Sequence, residues 1–356
     1  MNIKSVNRTN RVYIISLNGT NNKGGVERVV QLVMNDLVRN DYDVILVDEN
    51  RLIPRWLGNT RWNQFIFPLV ASFWLWNKKK KSENFFTISN SSYTPFYPAD
   101  VLIVHGSALG YVRAMSLSGK RFFGMHLLGQ LEALSMHASQ KNAYVSEYVK
   151  DLAVALHKVD PKKSYVINNG IDTSIFNSNL KFKENVTTIG FAGRLEFGKG
   201  LNYIIQIADW ISSQSEYRFV IATIGKVPDG LQGICNITIL RDVPPERMSE
   251  FYDQIDVLLL PSLFEGFELV TLEALASGVC VIGTYVGACR TFLDRGIPWV
   301  KKLPDSPQEF IELIPKIIKD FKNVNDPLVM REFINSFFST EHFCNEIRSL
   351  MIRNLK

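Results

Sequence analysis

The sequence predicts an α/β protein of two doubly wound domains in tandem, each a parallel sheet with helices on both faces. Strand-like apolar runs alternate with segments of helical periodicity along the chain, which is the pattern of this fold class. The order of strand, glycine-containing turn and helix opens twice, at Arg11 and again at Thr187. A chain of 356 residues is also too long for one typical core and suits two domains.

The first opening consists of the strand RVYIISL, the polar turn TNNKGG and the helix VERVVQLVMNDLVRN, whose apolar residues have helical spacing. Runs of β-branched and other apolar residues predict three further strands in this half. They are VILVDEN from Val44, DVLIVHG from Asp100 and NAYVSE from Asn142.

The second opening repeats this order as the strand TTIGFAG, the turn RLEFGKG and the helix LNYIIQIADWISS. Four strands follow, RFVIATIG, NITILRDV, DVLLLPS and VCVIGTY, with the helix PERMSEFYDQI before the third of them. The junction between the domains is predicted near VINNGIDTSIF, Val166 to Phe176, so that the first domain covers residues 1–168.

Composition excludes several classes of protein. Hydrophobic residues make up 46% and charged residues 21%, which is globular rather than disordered. The four cysteines lack C-x-x-C spacing, and the N-terminus MNIKSVNRTNRVYIIS lacks the apolar run of a secretory signal. We therefore expect a cytoplasmic protein without a disulfide framework. Basic residues are interleaved with acidic ones, which disfavours a nucleic-acid partner.

An apolar and aromatic stretch runs directly into four lysines, FIFPLVASFWLWNKKKK from Phe65 to Lys81. It is too short to span a bilayer, which needs roughly 20 apolar residues. Tryptophans beside lysines suit a membrane interface, where rings lie at headgroup depth and lysines meet anionic lipid. Two interpretations stay open: peripheral contact with an anionic membrane on its cytoplasmic face, and a core helix with a solvated basic end.

A glycine-containing turn follows the first predicted strand, at the edge where doubly wound sheets bind ligands. Lys23, Gly24 and Gly25 stand directly before a helix. Glycines let backbone N–H groups approach a ligand closely, and a helix N-terminus favours an anion. Tight turns often contain glycine for structural reasons alone, so this turn is a weak indication of a site.

The equivalent turn in the second domain carries two cations. Gly193 and Arg194 begin it, and Gly198, Lys199 and Gly200 end it. A guanidinium fork and an ammonium group can together neutralise a diphosphate. The alternative is a pair of surface cations, but the helix dipole disfavours cations near a helix start. The arrangement therefore indicates an anionic ligand.

Two carboxylates stand eight positions apart in SLFEGFELVTLEALASG, Ser262 to Gly278. Glu265 is predicted in the loop after the strand DVLLLPS. Glu273 is predicted in a helix from Phe267 to Gly278, on a different face from its core-facing leucines. Such a pair can accept hydrogen bonds from the hydroxyls of a ribose and a hexose, as carboxylates do in dinucleotide sites. The alternative makes Glu265 a capping residue and Glu273 a solvated helix position.

These motifs together resemble the retaining glycosyltransferases of family 4, which have the GT-B fold. The stretch from Pro261 to Gly278 is similar to the family's E-x7-E signature, and FAGRLEFGKG to its G-R-x4-K-G diphosphate motif. KGGVERVV resembles the N-terminal glycine loop, and VINNGIDTSIF the domain junction. FSTEHFCNEIRSLM, Phe338 to Met351, resembles the last helix, which in this fold crosses back onto the first domain. The motifs occur in family order and cover most of the chain.

The resemblance implies two Rossmann-like domains that face a central cleft. Residues 169–337 would form the nucleotide-sugar-binding domain, and residues 338–356 would return to the acceptor-side first domain.

The resemblance also implies a role for each matching residue. Arg194 and Lys199 would hold the donor diphosphate and stabilise the leaving group. Glu273 would bind the ribose hydroxyls and Glu265 a hydroxyl of the donor sugar. His105, at the end of a first-domain strand, would face the donor sugar, although a histidine there is often structural.

Further residues would contact the donor, and His126 is a weaker candidate than His105. Those contacts are Gly24 and Gly25 against the diphosphate and sugar, Arg241, Asp242 and Val243 beside the base, and Gly193, Gly266, Phe267, Glu268, Leu269 and Val270. Glu268 departs from the family, which usually has glycine or proline at this position. It would read an extra sugar hydroxyl or cap its own helix, which leaves the donor sugar open.

The expected reaction transfers a hexose from a nucleotide diphosphate sugar, with UDP expected, to a hydroxyl of a growing surface glycan. A lipopolysaccharide core or a lipid-linked polysaccharide would be such an acceptor, and the anomeric configuration would be retained. Neither a metal nor a cofactor is expected, because Arg194 and Lys199 supply positive charge. The only D-x-D, at Asp41 and Asp43, precedes a strand.

Three alternative functions remain. One is a GT-B nucleotide-sugar epimerase. Another is a dinucleotide-dependent oxidoreductase with Asp48 on the ribose, although the first turn is not G-x-G-x-x-G. The third is a non-catalytic nucleotide-sugar sensor or membrane adaptor.

Overall fold

The computed structural model describes residues 10–20, 24–54, 62–81, 84–176 and 186–352. The chain forms two compact units. The first comprises Met1–Asn168 together with Phe343–Lys356, and the second comprises Asn169–His342. The boundary at Asn169 lies inside the stretch where the sequence predicts the junction.

The first unit contains a six-stranded parallel sheet with the order β2-β1-β3-β4-β5-β6. Its strands are β1 (Arg11–Ile15), β2 (Asp43–Val47), β3 (Phe86–Asn90), β4 (Val101–Val104), β5 (Asn142–Tyr144) and β6 (Ser164–Val166). In the register, Val12 of β1 lies between Val44 of β2 and Phe86 of β3. The strand order reverses between β1 and β3, because β1 continues to β2 on one side while β3 adds to the other.

Helices cover this sheet. They are α1 (Gly25–Arg39), α2 (Glu49–Leu52), α3 (Asn63–Lys80), α4 (Ala108–Ala114), α5 (Gly119–Ala138) and α6 (Glu147–His157). The amphipathic α1 buries Val29, Val33 and Leu37, as the spacing predicts. On α3, Phe67 and Leu75 are buried in a cluster with Tyr13 of β1.

The second unit contains another six-stranded parallel sheet, with the order β12-β11-β10-β7-β8-β9. Its strands are β7 (Thr187–Ala192), β8 (Tyr217–Thr223), β9 (Ile237–Arg241), β10 (Val257–Leu260), β11 (Cys280–Gly283) and β12 (Val300–Lys302). Here the order reverses between β7 and β10, which pair through Ile189 and Val257. All four residues of β10 and of β11 are buried, as expected for strands covered on both faces.

Helices of the second unit are α7 (Leu201–Ser212), α8 (Met248–Tyr252), α9 (Leu269–Ala276), α10 (Gly287–Asp294), α11 (Pro307–Val324) and α12 (Pro327–Phe338). Helix α9 begins two residues later than predicted, and its end is marked by Gly278 with a φ of +79°. A Cβ at Gly278 would lie less than 3.0 Å from Pro327, so glycine also allows α12 to approach closely.

The last helix, α13 (Thr340–Ile352), joins the first unit from Phe343 onward. Arg348 pairs with Asp36 of α1, and the Nζ of Lys141 donates to the carbonyl of Leu350 over 2.5 Å. The C-terminal segment is therefore anchored on the first unit. The sequence places the start of this segment at residue 338, within the last turn of α12.

Candidate active site

The reversal of strand order in the second sheet brings two loops together. The loop after β7 ends at Gly200, and the loop after β10 begins at Pro261. A Cβ at Gly200, whose φ is +77°, would lie less than 3.0 Å from the Pro261 carbonyl oxygen. The backbone N–H of Leu263 also donates to the Gly198 carbonyl over 2.9 Å. Glycine at these positions lets the loops touch at the point where doubly wound sheets bind ligands.

Lys199 and Glu265 form an ion pair where these loops meet. The Nζ of Lys199 lies 2.5 Å from Oε1 of Glu265, and both side chains are largely buried. The sequence assigned the lysine to a diphosphate and the glutamate to a sugar, from motifs that lie 66 residues apart. The structure places them in direct contact, so one small region carries both charges.

Arg194 lies on the same loop as Lys199 but points elsewhere. Its guanidinium pairs with Oε1 of Glu196 over 3.1 Å, and its side chain is 62% exposed. An ion pair this exposed contributes little free energy, so an anionic ligand can replace Glu196. Gly193, just before it, has a φ of +152° and bonds back to β8 through the Ala222 carbonyl.

Glu273 is buried at the centre of α9, with only 4% of its surface exposed. The Oη of Tyr252 lies 2.9 Å from its Oε2 and donates a hydrogen bond to it. The alternative interpretation of Glu273 as a solvated helix position is wrong, because the whole stretch from Thr271 to Ala276 is buried. Tyr252 was not found from the sequence, since PERMSEFYDQI indicated a helix without showing which side chain meets the carboxylate.

Glu268 precedes α9 but bonds a different helix. Its Oε2 and Oε1 each accept a hydrogen bond over 2.9 Å, from the N–H groups of Ala288 and Cys289 in the first turn of α10. Thr271 Oγ1 donates to Oε1 over 3.0 Å. Burial, followed by the charge of Glu265, raises the pKa of Glu268 to about 7. The carboxylate thus caps the neighbouring helix rather than its own.

The remaining predicted donor contacts of this unit differ in their surroundings. Phe267 is buried and stacks on Phe338, so its side chain belongs to the core. Leu269 and Val270 start α9, where backbone N–H groups face outward from a helix N-terminus. Gly266 lies between Glu265 and Phe267 in the same loop. Arg241 ends β9 and is exposed; Asp242 is exposed with a φ of +52°; and Val243 is half-buried.

In the first unit, the predicted site residues gather where β1 and β3 lie side by side. Gly24 directly precedes α1, and Gly25 is its first residue. A Cβ at Gly24 would lie less than 3.0 Å from the buried Glu27, whose Oε1 accepts from Asn18 over 2.9 Å. Lys23 lies outside the described residues.

His105 follows β4, and its Nε2 lies 2.9 Å from Oδ1 of Asn90, at the end of β3. The Nδ2 of Asn90 donates to the Val26 carbonyl over 3.3 Å in the first turn of α1. Because this amide presents its oxygen to the ring, Nε2 of His105 carries the proton and Nδ1 is an acceptor. Burial lowers the pKa of His105 to about 4, so the ring is neutral at neutral pH. The sequence did not indicate Asn90, which ends a strand that it did not predict.

Other candidates have structural surroundings. His126 lies on the exposed side of α5 and stacks on Phe122. Asp48 caps α2 by accepting from the N–H of Arg51 over 3.1 Å. Asp43, of the D-x-D, pairs with Arg11. In the part of the chain that the structure describes, no group of three or more His, Cys, Asp or Glu side chains is arranged to hold a metal ion.

Two family models match the chain. "Glycosyltransferase Family 4" covers residues 23–175, and "Glycosyl transferases group 1" covers residues 186–320. An uncharacterized glycosyltransferase of Methanocaldococcus jannaschii is 27% identical over 210 residues, which is 54% of each chain. The gpi3 subunit of phosphatidylinositol N-acetylglucosaminyltransferase of Schizosaccharomyces pombe is 25% identical over 353 residues, 92% of this chain and 74% of that one. The chain spans about half the length of the first curated relatives it matches.

Solved structures share the architecture. Sucrose-phosphate synthase from Thermosynechococcus elongatus has a TM-score of 0.75 at 14% identity, over 97% of this chain and 98% of that one. A likeness at this identity shows the GT-B fold. The two family models together cover most of the chain and show that it belongs to glycosyltransferase family 4.

Proposed function

We propose that the protein is a retaining transferase that moves a hexose from a nucleotide diphosphate sugar to a hydroxyl of a growing surface glycan. The observation that carries this proposal is the Lys199–Glu265 ion pair at the reversal of the second sheet. A cation suited to a diphosphate and a carboxylate suited to a sugar hydroxyl are joined by one hydrogen bond. In a nucleotide diphosphate sugar, the diphosphate and the sugar are also adjacent, because the anomeric carbon joins them.

The chemistry proposed for this site depends on charge. In the transfer, the bond from the anomeric carbon to the diphosphate breaks while the acceptor oxygen bonds to the same face of that carbon. The leaving phosphate oxygen takes the acceptor proton. Negative charge develops on the diphosphate, and Lys199 and Arg194 stabilise it, which is expected to lower the barrier more than any other single effect in such a site. Because Glu265 forms an ion pair with Lys199, its proposed role is to accept a hydrogen bond from a sugar hydroxyl rather than to act as a nucleophile.

Each unit offers one further acceptor for hydroxyl groups. In the second unit, Glu273 would meet the ribose hydroxyls with a carboxylate to which Tyr252 donates a hydrogen bond. In the first unit, Nδ1 of His105 would accept a hydrogen bond from a hydroxyl, since Asn90 occupies the other ring nitrogen. No metal is assigned in this proposal, and UDP is the proposed nucleotide.

The donor can be identified by thermal stability. We expect UDP or one UDP-sugar to raise the melting temperature by mass action, equally with and without EDTA, and Glu273→Ala to remove the shift. NADH and GDP-mannose serve as controls for the alternative classes. A shift with NADH alone, or one that EDTA abolishes, would contradict the proposal.

The roles of the two cations are tested with matched controls. Arg194→Ala and Lys199→Ala should lower kcat by about 100-fold or more, the range found when one charge-stabilising group is removed. Arg247 is a control for Arg194, because it is 64% exposed and pairs with Glu250 as Arg194 pairs with Glu196. Near-normal turnover in both Arg194→Ala and Lys199→Ala would overturn the assignment. Inversion at the anomeric carbon of the product, seen by NMR, would overturn retention.

A second observation supports a membrane-bound acceptor. Helix α3 has a buried face, which the core-helix interpretation requires, and an exposed apolar face, which the membrane interpretation requires. One face is buried, and the opposite face exposes Leu69, Phe73 and Trp76 at helical spacing beside the basic segment 78–81. We call these three residues the α3 stripe. Among the described residues, no helix is long and apolar enough to cross a bilayer. We propose that the α3 stripe and its lysines contact the anionic inner face of the cytoplasmic membrane.

The membrane proposal is tested by cosedimentation with vesicles of anionic and of neutral lipid. Phe73 is 68% exposed, so Phe73→Ser should reduce binding without unfolding the protein. Phe197→Ser, in the second unit, is the control because Phe197 is also exposed but lies outside the α3 stripe. Equal binding to both vesicle types, or no effect of Phe73→Ser and of neutralising Lys78 to Lys81, would reject the contact.

A further inference from the structure

The loop that carries Glu265 is attached to α10 through a second carboxylate. Glu268, three residues later, accepts from the N–H groups of Ala288 and Cys289, the second and third residues of α10. Val286 precedes this helix and has no side-chain acceptor, so the residue at the N-cap position cannot cap the helix. Glu268 supplies that cap from another part of the sequence, and its negative charge suits the positive end of the helix.

The backbone is shaped for this contact. Gly287, the first residue of α10, has a φ of +52°. A Cβ there would lie less than 3.0 Å from both Glu268 Oε2 and Glu265 Cβ. A glycine is therefore needed for the two glutamates to pack against the start of α10. The same close approach fixes the backbone from which the Glu265 side chain extends.

We propose that Glu268 is a positioning residue: by bonding the loop after β10 to the α10 N-terminus, it fixes Glu265 for the donor sugar. This inference rests on the proposed function of Glu265. It differs from a direct contact between Glu268 and the sugar, because both carboxylate oxygens already accept hydrogen bonds from the protein.

Protonation of Glu268 should loosen this attachment, because a carboxylic acid turns one of its acceptors into an O–H donor that faces an N–H group. Its pKa, raised to about 7, places the change near neutral pH. The charged and titratable groups around it are Glu265, with Lys199 paired to that glutamate, and the thiol of Cys289. Burial and the charge of Glu268 raise the pKa of this thiol, which leaves it neutral.

The test compares Glu268→Gln with Glu265→Gln, using donor Kd by calorimetry and kcat and KM between pH 6 and pH 9. The donor is the one identified by the thermal titration. Glu268→Gln keeps the shape but loses one acceptor, so donor Kd should rise about tenfold at pH 8, or about 1.4 kcal/mol. We expect the donor affinity of the wild-type protein to fall below pH 7, and this fall should be absent in Glu268→Gln. Glu312→Gln, on α11, is the control.

The outcomes separate this inference from the function on which it rests. If Glu265→Gln leaves donor binding intact, the proposed role of Glu265 fails. If Glu265→Gln abolishes binding while Glu268→Gln changes only the melting temperature, Glu268 is structural and this inference alone is overturned. A change in selectivity among sugar epimers without a change in the pH profile would show direct sugar contact and would also overturn it. Glu268→Asp serves where the glutamine variant fails to fold.

Discussion

The contact between the Glu265 loop and α10 can be tested by adding a single methyl group. Gly287→Ala places a Cβ against Glu268 and Glu265 at a φ of +52°. Gly296, just after α10, has a φ of +65°, and a Cβ there meets no atom within 4 Å. The two alanine variants therefore share the backbone strain, and only Gly287→Ala has the steric conflict.

The expected magnitudes follow from these surroundings. Alanine in the left-handed region costs roughly 1–2 kcal/mol, which is the whole effect expected for Gly296→Ala. In Gly287→Ala the glutamates must also move away. The hydrogen bonds of Glu268 to two N–H groups would then lengthen or break, and a bond to a charged group contributes about 1.5–3 kcal/mol. We expect Gly287→Ala to lose about 4 kcal/mol of unfolding free energy and to bind the donor at least tenfold more weakly.

Urea denaturation and calorimetric donor titration of both variants measure these effects. Gly296→Ala should show the smaller stability loss and wild-type donor affinity. If Gly287→Ala is no less stable than Gly296→Ala and binds the donor equally well, the packing of the loop on α10 is not required. The reasoning about both glutamates would then be wrong.

Three further outcomes are expected. Tyr252→Phe removes the hydroxyl that donates a hydrogen bond to Glu273. The unfolding free energy measured in urea should therefore fall by about 1.5–3 kcal/mol, and the Kd of the nucleotide sugar should rise; unchanged stability and affinity would refute this. Since the folded pKa of His105 is about 4 and its ordinary value is 6.5, the unfolded chain binds a proton between these values and stability falls as pH falls. His105→Gln should remove roughly 2 kcal/mol of the stability loss between pH 7 and pH 5, and an unchanged loss would contradict the burial of this ring. Gly200→Ala should disrupt the loop contact at Pro261 and lower kcat/KM, which steady-state kinetics would show.

Most strands could be predicted because their residues are apolar, but β3 could not. Its sequence, FTISN, buries Thr87, Ser89 and Asn90 at the centre of the first sheet. A hydrophobic run is the main signal of a buried strand, and polar residues remove that signal. One of these polar residues, Asn90, forms a hydrogen bond with His105. The residues that remove the strand signal therefore include one that contacts a candidate site residue. β6 and β12 were missed for another reason, since SYV and VKK are strands of only three residues at sheet edges.

The site was predictable in its residue types and loops, but not in its contacts. Motif order indicated that Lys199, Glu265 and Glu273 belong together, and Lys199 and Glu265 do touch. Which group meets Glu268 depends on where α10 begins, 20 residues further along the chain. The sequence contains no local signal for such a contact. Gly287, at the start of α10, is required by this contact. A glycine there does not identify the contact, because glycine occurs wherever the backbone needs a positive φ or a close approach.

The two sheets place their site residues by the same geometric rule. In each sheet the strand order reverses once, between β1 and β3 in the first unit and between β7 and β10 in the second. Loops that leave neighbouring strands on either side of a reversal run to opposite faces of the sheet, which leaves a crevice at the strand ends. Asn90 and the glycines at the start of α1 lie at one reversal, and Lys199 with Glu265 at the other. The position of the candidate site therefore follows from sheet topology in each unit separately, independently of the motifs that first indicated it.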